Sequence, residues 1–162
     1  MAMAASKGQW EVVKDLAARG ADIEAKSIIG MTPIAMAANK GQLEVVKDLA
    51  ARNANLEAKD YRGRTPMALA ATAGQWEVVK DLAARNANVE AKNDRYGMTP
   101  MALAAYAGQW EVVKDLAARN ANLEAKDRDG KTPMALAAKA GEWGKGVDLA
   151  ARRAISAAKD AD

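Results

Sequence analysis

TPMALAATAGQWEVVKDLAARNANVEAKN, residues 65–93, holds most of one unit of the pattern on which the chain is built. Thr65 can accept a hydrogen bond from an orphan amide at a helix start, and Pro66 stands where a helix has no use for an N–H. Met67 to Ala73 is therefore predicted as a short helix. Gly74 ends it by entering the left-handed region. Gln75 to Arg85 then carries Trp76, Val79, Leu82 and Ala83 at helical spacing, which predicts a second helix with one buried stripe. Asn86 closes that helix where Gly20 closes its counterpart in the first unit, both residue types tolerating a left-handed backbone.

The unit recurs along the chain. Thr-Pro pairs begin at Thr32, Thr65, Thr99 and Thr132, spaced 33, 34 and 33 residues, and Gly8, Gly41, Gly74, Gly108 and Gly141 keep the same beat. This gives a truncated first unit (1–31), internal units 32–64, 65–98 and 99–131, and a last unit 132–162, predicted as a single domain. Between helix pairs the chain turns back through stretches such as Asp60-Tyr61-Arg62-Gly63-Arg64, a hairpin-like finger whose glycine supplies the turn. One unit is too thin to bury its own apolar face, so stability has to come from stacking neighbours. In the last unit Gly144 and Gly146 interrupt the second helix, and that end is expected to fray.

A period of this length, with two helices and a finger and with the TPMALAA and GQWEVVKDLAAR motifs, resembles the ankyrin repeat over essentially the whole chain. The resemblance implies an all-α ankyrin-repeat solenoid of helix-turn-helix units joined by β-hairpin-like fingers, and a role in binding another protein. The chain departs from the family at Ala35, Ala68, Ala102 and Ala135, where the repeat usually has His two residues after the Pro. Any bracing of the finger by that His has to be supplied otherwise.

Residues 67–92 and 101–126 are identical except for Thr72 against Tyr106 and Val89 against Leu123. Natural repeats normally drift further, so the chain is most similar to designed ankyrin-repeat binders, in which a constant framework presents varied residues at finger tips and first-helix ends. A natural ankyrin adaptor and a designed repeat specimen with no intended partner are the alternatives. Variation falls where the resemblance implies a concave binding surface. The partner-binding set is Ile28, Ile29, Met31 and Lys40; Tyr61, Arg62, Arg64 and Thr72; Asp94, Arg95, Tyr96, Met98 and Tyr106; and Arg128, Asp129 and Lys131.

The residue types carry that reading further. All three tyrosines, Tyr61, Tyr96 and Tyr106, lie at varying positions, and Tyr gives large contact area at low entropic cost. Ile28, Ile29, Met31 and Met98 are expected to be exposed beside them. Lys7, Lys40, Arg62, Arg64, Arg95, Arg128, Lys131 and Lys139 face only Asp94 and Asp129 among varying positions, so a partner with an acidic patch is expected. A second copy of the chain is a further candidate. The third finger, Asn93 to Met98, holds one residue more than the others and is expected to reshape Arg95 and Tyr96 toward the partner. Trp10, Trp76, Trp110 and Trp143 share one phase and are expected in the core.

Composition narrows the chemistry. The 162 residues include neither Cys nor His, which removes disulfides, thiolate nucleophiles, imidazole bases and the usual zinc ligands. Ser6, Ser27 and Ser156 have no activating partner at a telling spacing, and Glu77, Asp81, Glu111 and Asp115 read as a solvated helix surface opposite Lys80 and Lys114. No catalysis, cofactor or metal is expected. No stretch approaches the ~18 apolar residues of a membrane span. A net charge of +3 is too small to imply nucleic acid. A stripe of Lys59, Lys92 and Lys126 is weakened by Glu57, Glu90 and Glu124 two residues earlier. GEWGKG, from Gly141, lacks the spacing of a phosphate loop.

Overall fold

The computed structural model describes residues 1–139, with the Gly144 and Gly146 region lying outside them. The chain divides into two compact units, Met1–Asn88 and Val89–Asp162. The first holds α1 (Ala2–Ser6), α2 (Trp10–Ala18), α3 (Pro33–Asn39), α4 (Leu43–Ala51), α5 (Pro66–Thr72) and α6 (Trp76–Ala84). The second holds α7 (Pro100–Tyr106), α8 (Trp110–Ala118) and α9 (Pro133–Lys139). No strand occurs among the described residues.

Local chemistry sets the helix ends as the sequence predicts. Thr32, Thr65 and Thr99 each take an extended backbone, and their hydroxyls accept from the amides of Ala35, Ala68 and Ala102, with Pro in the first helical turn. Gly74 lies at φ 71°. The second helices close through Asn53, Asn86 and Asn120 at φ 63°, 62° and 61°.

In the first unit α1 packs on α3 and α3 on α5, while α2 packs on α4 and α4 on α6. In the second, α7 packs on both α8 and α9. The core between these layers repeats itself: Ile34, Met67 and Met101 from the first helices, and Leu49, Leu82 and Leu116 from the second, are all almost wholly buried. Each contributes about 1.5–3 kcal/mol by leaving water.

The buried face of the second helices is wider than the predicted stripe, because Val45, Val78 and Val112 are buried as well. Val12, at the same phase in α2, is 45% exposed, since α2 stands at the outer end of its unit. The tryptophans correct the sequence reading. Trp10, Trp76 and Trp110 are only half-buried, each opening a second helix, while Trp143 lies outside the described residues. A Cβ at Gly74 would stand 3.9 Å from Trp76 Nε1, and one at Gly8 3.8 Å from Trp10 Nε1. Trp10 and Trp76 therefore cover the interhelix turns and do not fill the core.

Polar ladders tie successive repeats together. Glu24 accepts from the Asn55 amide at 2.7 Å, Glu57 from Asn88 at 2.7 Å and Glu90 from Asn122 at 2.6 Å. Lys26 Nζ donates to the Lys59 carbonyl at 3.1 Å, and Lys92 Nζ to that of Lys126 at 2.9 Å. The repeating lysines and glutamates thus have a structural use within the stack. Carboxylates on the second helices pair along their own helix, Glu77 with Lys80 and Glu111 with Lys114, while Asp81 and Asp115 take Arg85 and Arg119.

Candidate functional site

Each finger is closed from below by an acceptor side chain at its first position. In the first finger Ser27 Oγ accepts from the Met31 amide at 3.3 Å, and the Ser27 amide donates to the Met31 carbonyl at 2.9 Å. In the second, Asp60 Oδ1 accepts from the amides of Arg62 and Arg64, both at 2.9 Å. Asn93 Oδ1 accepts from Tyr96 at 3.1 Å and Met98 at 2.9 Å, and Asp127 Oδ1 from Asp129 at 2.9 Å and Lys131 at 2.8 Å. These four residues supply the bracing that the Ala at the family's His position does not. In the sequence the signal is an oxygen-bearing side chain at one repeat phase, Ser27, Asp60, Asn93 and Asp127, at a position that varies along with the tip.

Asp60 also holds an ion pair. Arg64 Nη2 lies 2.7 Å and Nε 2.8 Å from Asp60 Oδ2, and the Asp60 side chain is wholly buried. Burial alone would raise the carboxyl's pKa; the hydrogen bonds from the Arg64 side chain and from the Arg64 and Arg62 amides, with the Arg64 charge, outweigh it and hold the group below its ordinary 3.8.

In the first unit, the Tyr61 amide donates to the Ile29 carbonyl at 3.3 Å, fastening one finger tip to the next. Tyr61 is 73% exposed and Ile28 97%, with Ile29 and Arg62 also exposed. Lys40 and Thr72 are exposed at the C-terminal ends of α3 and α5, where the Thr72 hydroxyl donates to the Ala68 carbonyl at 2.7 Å. Met31 corrects the expectation of an exposed apolar tip: at 6% exposure it belongs to the core, drawn in by its bonds to Ser27. Met3, which no repeat motif singles out, is 71% exposed.

The second unit shows the same fastening. The Arg128 amide donates to the Tyr96 carbonyl at 3.0 Å, and Arg128 Nη1 to the Arg95 carbonyl at 3.1 Å. The Arg95 guanidinium carbon sits 5.1 Å from the centroid of the Tyr96 ring. By this bond, Arg95-Tyr96-Gly97-Met98 matches Ile28-Ile29-Gly30-Met31, so the extra residue of the third finger falls at Asp94. Tyr106 is 51% exposed at the end of α7, Asp94 is half-buried, and Met98 is half-buried where exposure was expected.

The basic excess is smaller than the sequence implies. Arg64 is paired with Asp60, and Lys131 Nζ lies 3.2 Å from Asp129 Oδ2. Arg62, Arg95 and Arg128 remain exposed at the tips, and Lys7, Lys40 and Lys139 at first-helix ends. Among the described residues, no group of three carboxylate, His or Cys side chains is placed to hold a metal, and no helix is long and apolar enough to cross a membrane.

A family model described as ankyrin repeats (3 copies) matches residues 1–93, and one described as ankyrin repeats (many copies) matches residues 89–137. No curated protein matches the sequence.

Proposed function

Because the chain belongs to the ankyrin-repeat family, whose repeats generally mediate protein–protein interaction, we propose that it is an engineered, non-catalytic module that binds a partner protein through its finger tips and first-helix ends. The observation that carries this reading is the placement of the tyrosines. Tyr61, Tyr96 and Tyr106, at 73%, 47% and 51% exposure, stand at varying positions and contribute little to the core. Large aromatic side chains of this kind anchor interfaces. The engineered origin is supported by the near-identity of residues 67–92 and 101–126, which differ at the first-helix end, Thr72 against Tyr106, and at Val89 against Leu123, so that most of the variation falls on the tips and that helix end.

Neighbouring tips are also fastened to one another. Backbone bonds from Tyr61 to Ile29 and from Arg128 to Tyr96 hold neighbouring fingers in register, so little ordering entropy is lost when they are engaged. Arg62, Arg95, Arg128 and Lys40 suit a partner with an acidic patch, recognised by a single ankyrin-repeat domain spanning 1–162. The test is to recover partners on the immobilised chain and on a Tyr61→Ala, Tyr96→Ala, Tyr106→Ala variant with an unchanged unfolding curve. A partner held equally by both removes this surface from the account. If the cations steer encounter, association should also slow as salt is added.

A further inference from the structure

A groove of about 490 Å³ opens between α1 and the first finger, lined by Met3, Ser6, Lys26, Ile28, Ile29 and Met36 among others. Its floor is Met36, at 6% exposure; its walls are Met3, Ile28 and Ile29, at 71%, 97% and 52%. A side chain as exposed as Ile28 is stabilised hardly at all by folding, so the fold does not account for the apolar walls. The volume falls within the ~300–1,000 Å³ of ligand pockets, enough for a large side chain with its neighbouring backbone. Two of the lining residues are methionines, which adapt to an incoming group.

The charged side chain lining the groove is Lys26, and Glu24, two residues before it, is taken up by the Asn55 amide at 2.7 Å. The Lys7 amide donates to the Met3 carbonyl and the Lys40 amide to the Met36 carbonyl, each at 3.1 Å, so each lysine stands one helical turn beyond a groove methionine. Lys26 lines the groove itself. No carboxylate occurs in residues 1–9 or 25–42, the segments that build the groove and its rim. The Asp and Glu side chains of α2 and α4 are committed elsewhere: Glu11 pairs with Lys14, Asp15 with Arg19, Glu44 with Lys47 and Asp48 with Arg52.

We infer that this groove receives one bulky apolar side chain of a partner protein, presented within a carboxylate-rich segment whose charges meet Lys7, Lys26 and Lys40. The inference deepens the reading above and rests on it. An apolar cleft supplies affinity and the cationic rim supplies orientation and selection, since a basic segment would meet like charge with no acid to relieve it. A second copy presenting the same face would meet that repulsion too.

The test uses the intact chain and dye-labelled synthetic heptapeptides, read by fluorescence anisotropy. One has a central Trp between acidic residues, the second a central Ala in the same frame, and the third a central Trp between lysines. The acidic Trp peptide should bind saturably, with the other two at least about tenfold weaker, as loss of a buried aromatic predicts for the Ala peptide. The double variant Met3→Ser, Ile28→Ser, at exposed positions, should lose about tenfold in affinity with an unchanged unfolding curve, and Lys7→Gln with Lys40→Gln should flatten the salt dependence. Equal binding of the Trp and Ala peptides, or full binding by the Met3, Ile28 variant, would overturn the inference. A dimer of the free chain that this variant dissolves would assign the groove to a second copy and overturn it as well. The two readings separate cleanly: a partner lost by the tyrosine variant but kept by the groove variant defeats this inference alone, whereas a partner kept by the tyrosine variant but lost by the groove variant defeats only the broader surface.

Discussion

Arg64 closes on the buried carboxylate of Asp60 at 2.7 Å, while the other oxygen of that carboxylate accepts the amides of Arg62 and Arg64. One side chain thereby folds the second finger, neutralises a cation that sequence alone would assign to the binding face, and leaves Tyr61 standing out from the tip. Asn93 performs the backbone part of this task in the third finger without a charge. The pair of fingers therefore separates the amide-acceptor role from the ion-pair role.

Acid should expose that separation. A carboxyl held below its ordinary 3.8 when folded contributes stability that is present above that value and lost as pH falls through the lower folded value. Asp60→Asn keeps an acceptor for the amides and removes the ion pair, so it should cost about 1 kcal/mol near neutrality, against about 2–3 kcal/mol for Asp60→Ala, which strands the amides and Arg64. Urea unfolding from pH 7 to pH 2 should show the gap between the parent chain and Asp60→Asn closing below about pH 4. A gap that stays constant would mean that the ion pair contributes nothing to stability.

What the sequence makes legible follows from range. Thr65, Pro66, Gly74 and Asn86 act on their own few neighbours, so the helix starts and stops could be read directly, and repetition then implied the stack. Met31 could not be placed that way, because its burial depends on the finger closing through Ser27 over the helices. The pairing of Arg64 is hidden for a similar reason: Asp60 is visible four residues away, but only the turn brings the two groups together. The tryptophans share a phase whether they fill the core or cover a turn, so periodicity could not decide between the two. The groove beside Ile28 needs α1 and the finger side by side, and neither segment shows it alone.

Two glycines at like positions should respond unequally to alanine. Gly30 and Gly63 have φ 80° and 77°, so either substitution carries the left-handed penalty. A Cβ on Gly30 would also lie 2.6 Å from Tyr61 Cδ1 and 2.8 Å from the Tyr61 amide nitrogen, while one on Gly63 meets nothing within 4 Å. We expect Gly63→Ala to cost about 1 kcal/mol and Gly30→Ala clearly more, about 2 kcal/mol or above. Hydrogen exchange at the Tyr61 amide should quicken in Gly30→Ala alone, because the bond to Ile29 is the one displaced. Equal effects would mean that the fingers are not held by this contact.

Met31 and Ile28 are three residues apart and should behave as opposites. Met31→Ala opens a cavity at a buried site and is expected to cost about 2–4 kcal/mol in chemical unfolding. Ile28→Ser, at 97% exposure, should stay within about 0.5 kcal/mol of the parent. If the finger surface binds a partner as proposed, Ile28→Ser should weaken that complex at no expense to stability. A destabilised Ile28→Ser would show that the tip is packed, and would return Ile28 to the framework.

The helix stops can be tested on the residue that makes them. Asn53, Asn86 and Asn120 hold φ near 60°, at the repeat position where Gly20 holds 80°. An alanine there brings the Cβ clash of the left-handed region without the local hydrogen bonding that Asn offers, so Asn86→Ala should cost about 1 kcal/mol. Asn86→Gly relieves the clash but adds freedom to the unfolded chain, and the two effects should nearly cancel. Measured by urea unfolding, the order is therefore Asn86→Gly close to the parent and Asn86→Ala below both. If alanine instead matched glycine, the left-handed residue would not be what ends α6, and the stop would have to come from the bond between the Ala87 amide and the Leu82 carbonyl at 3.0 Å.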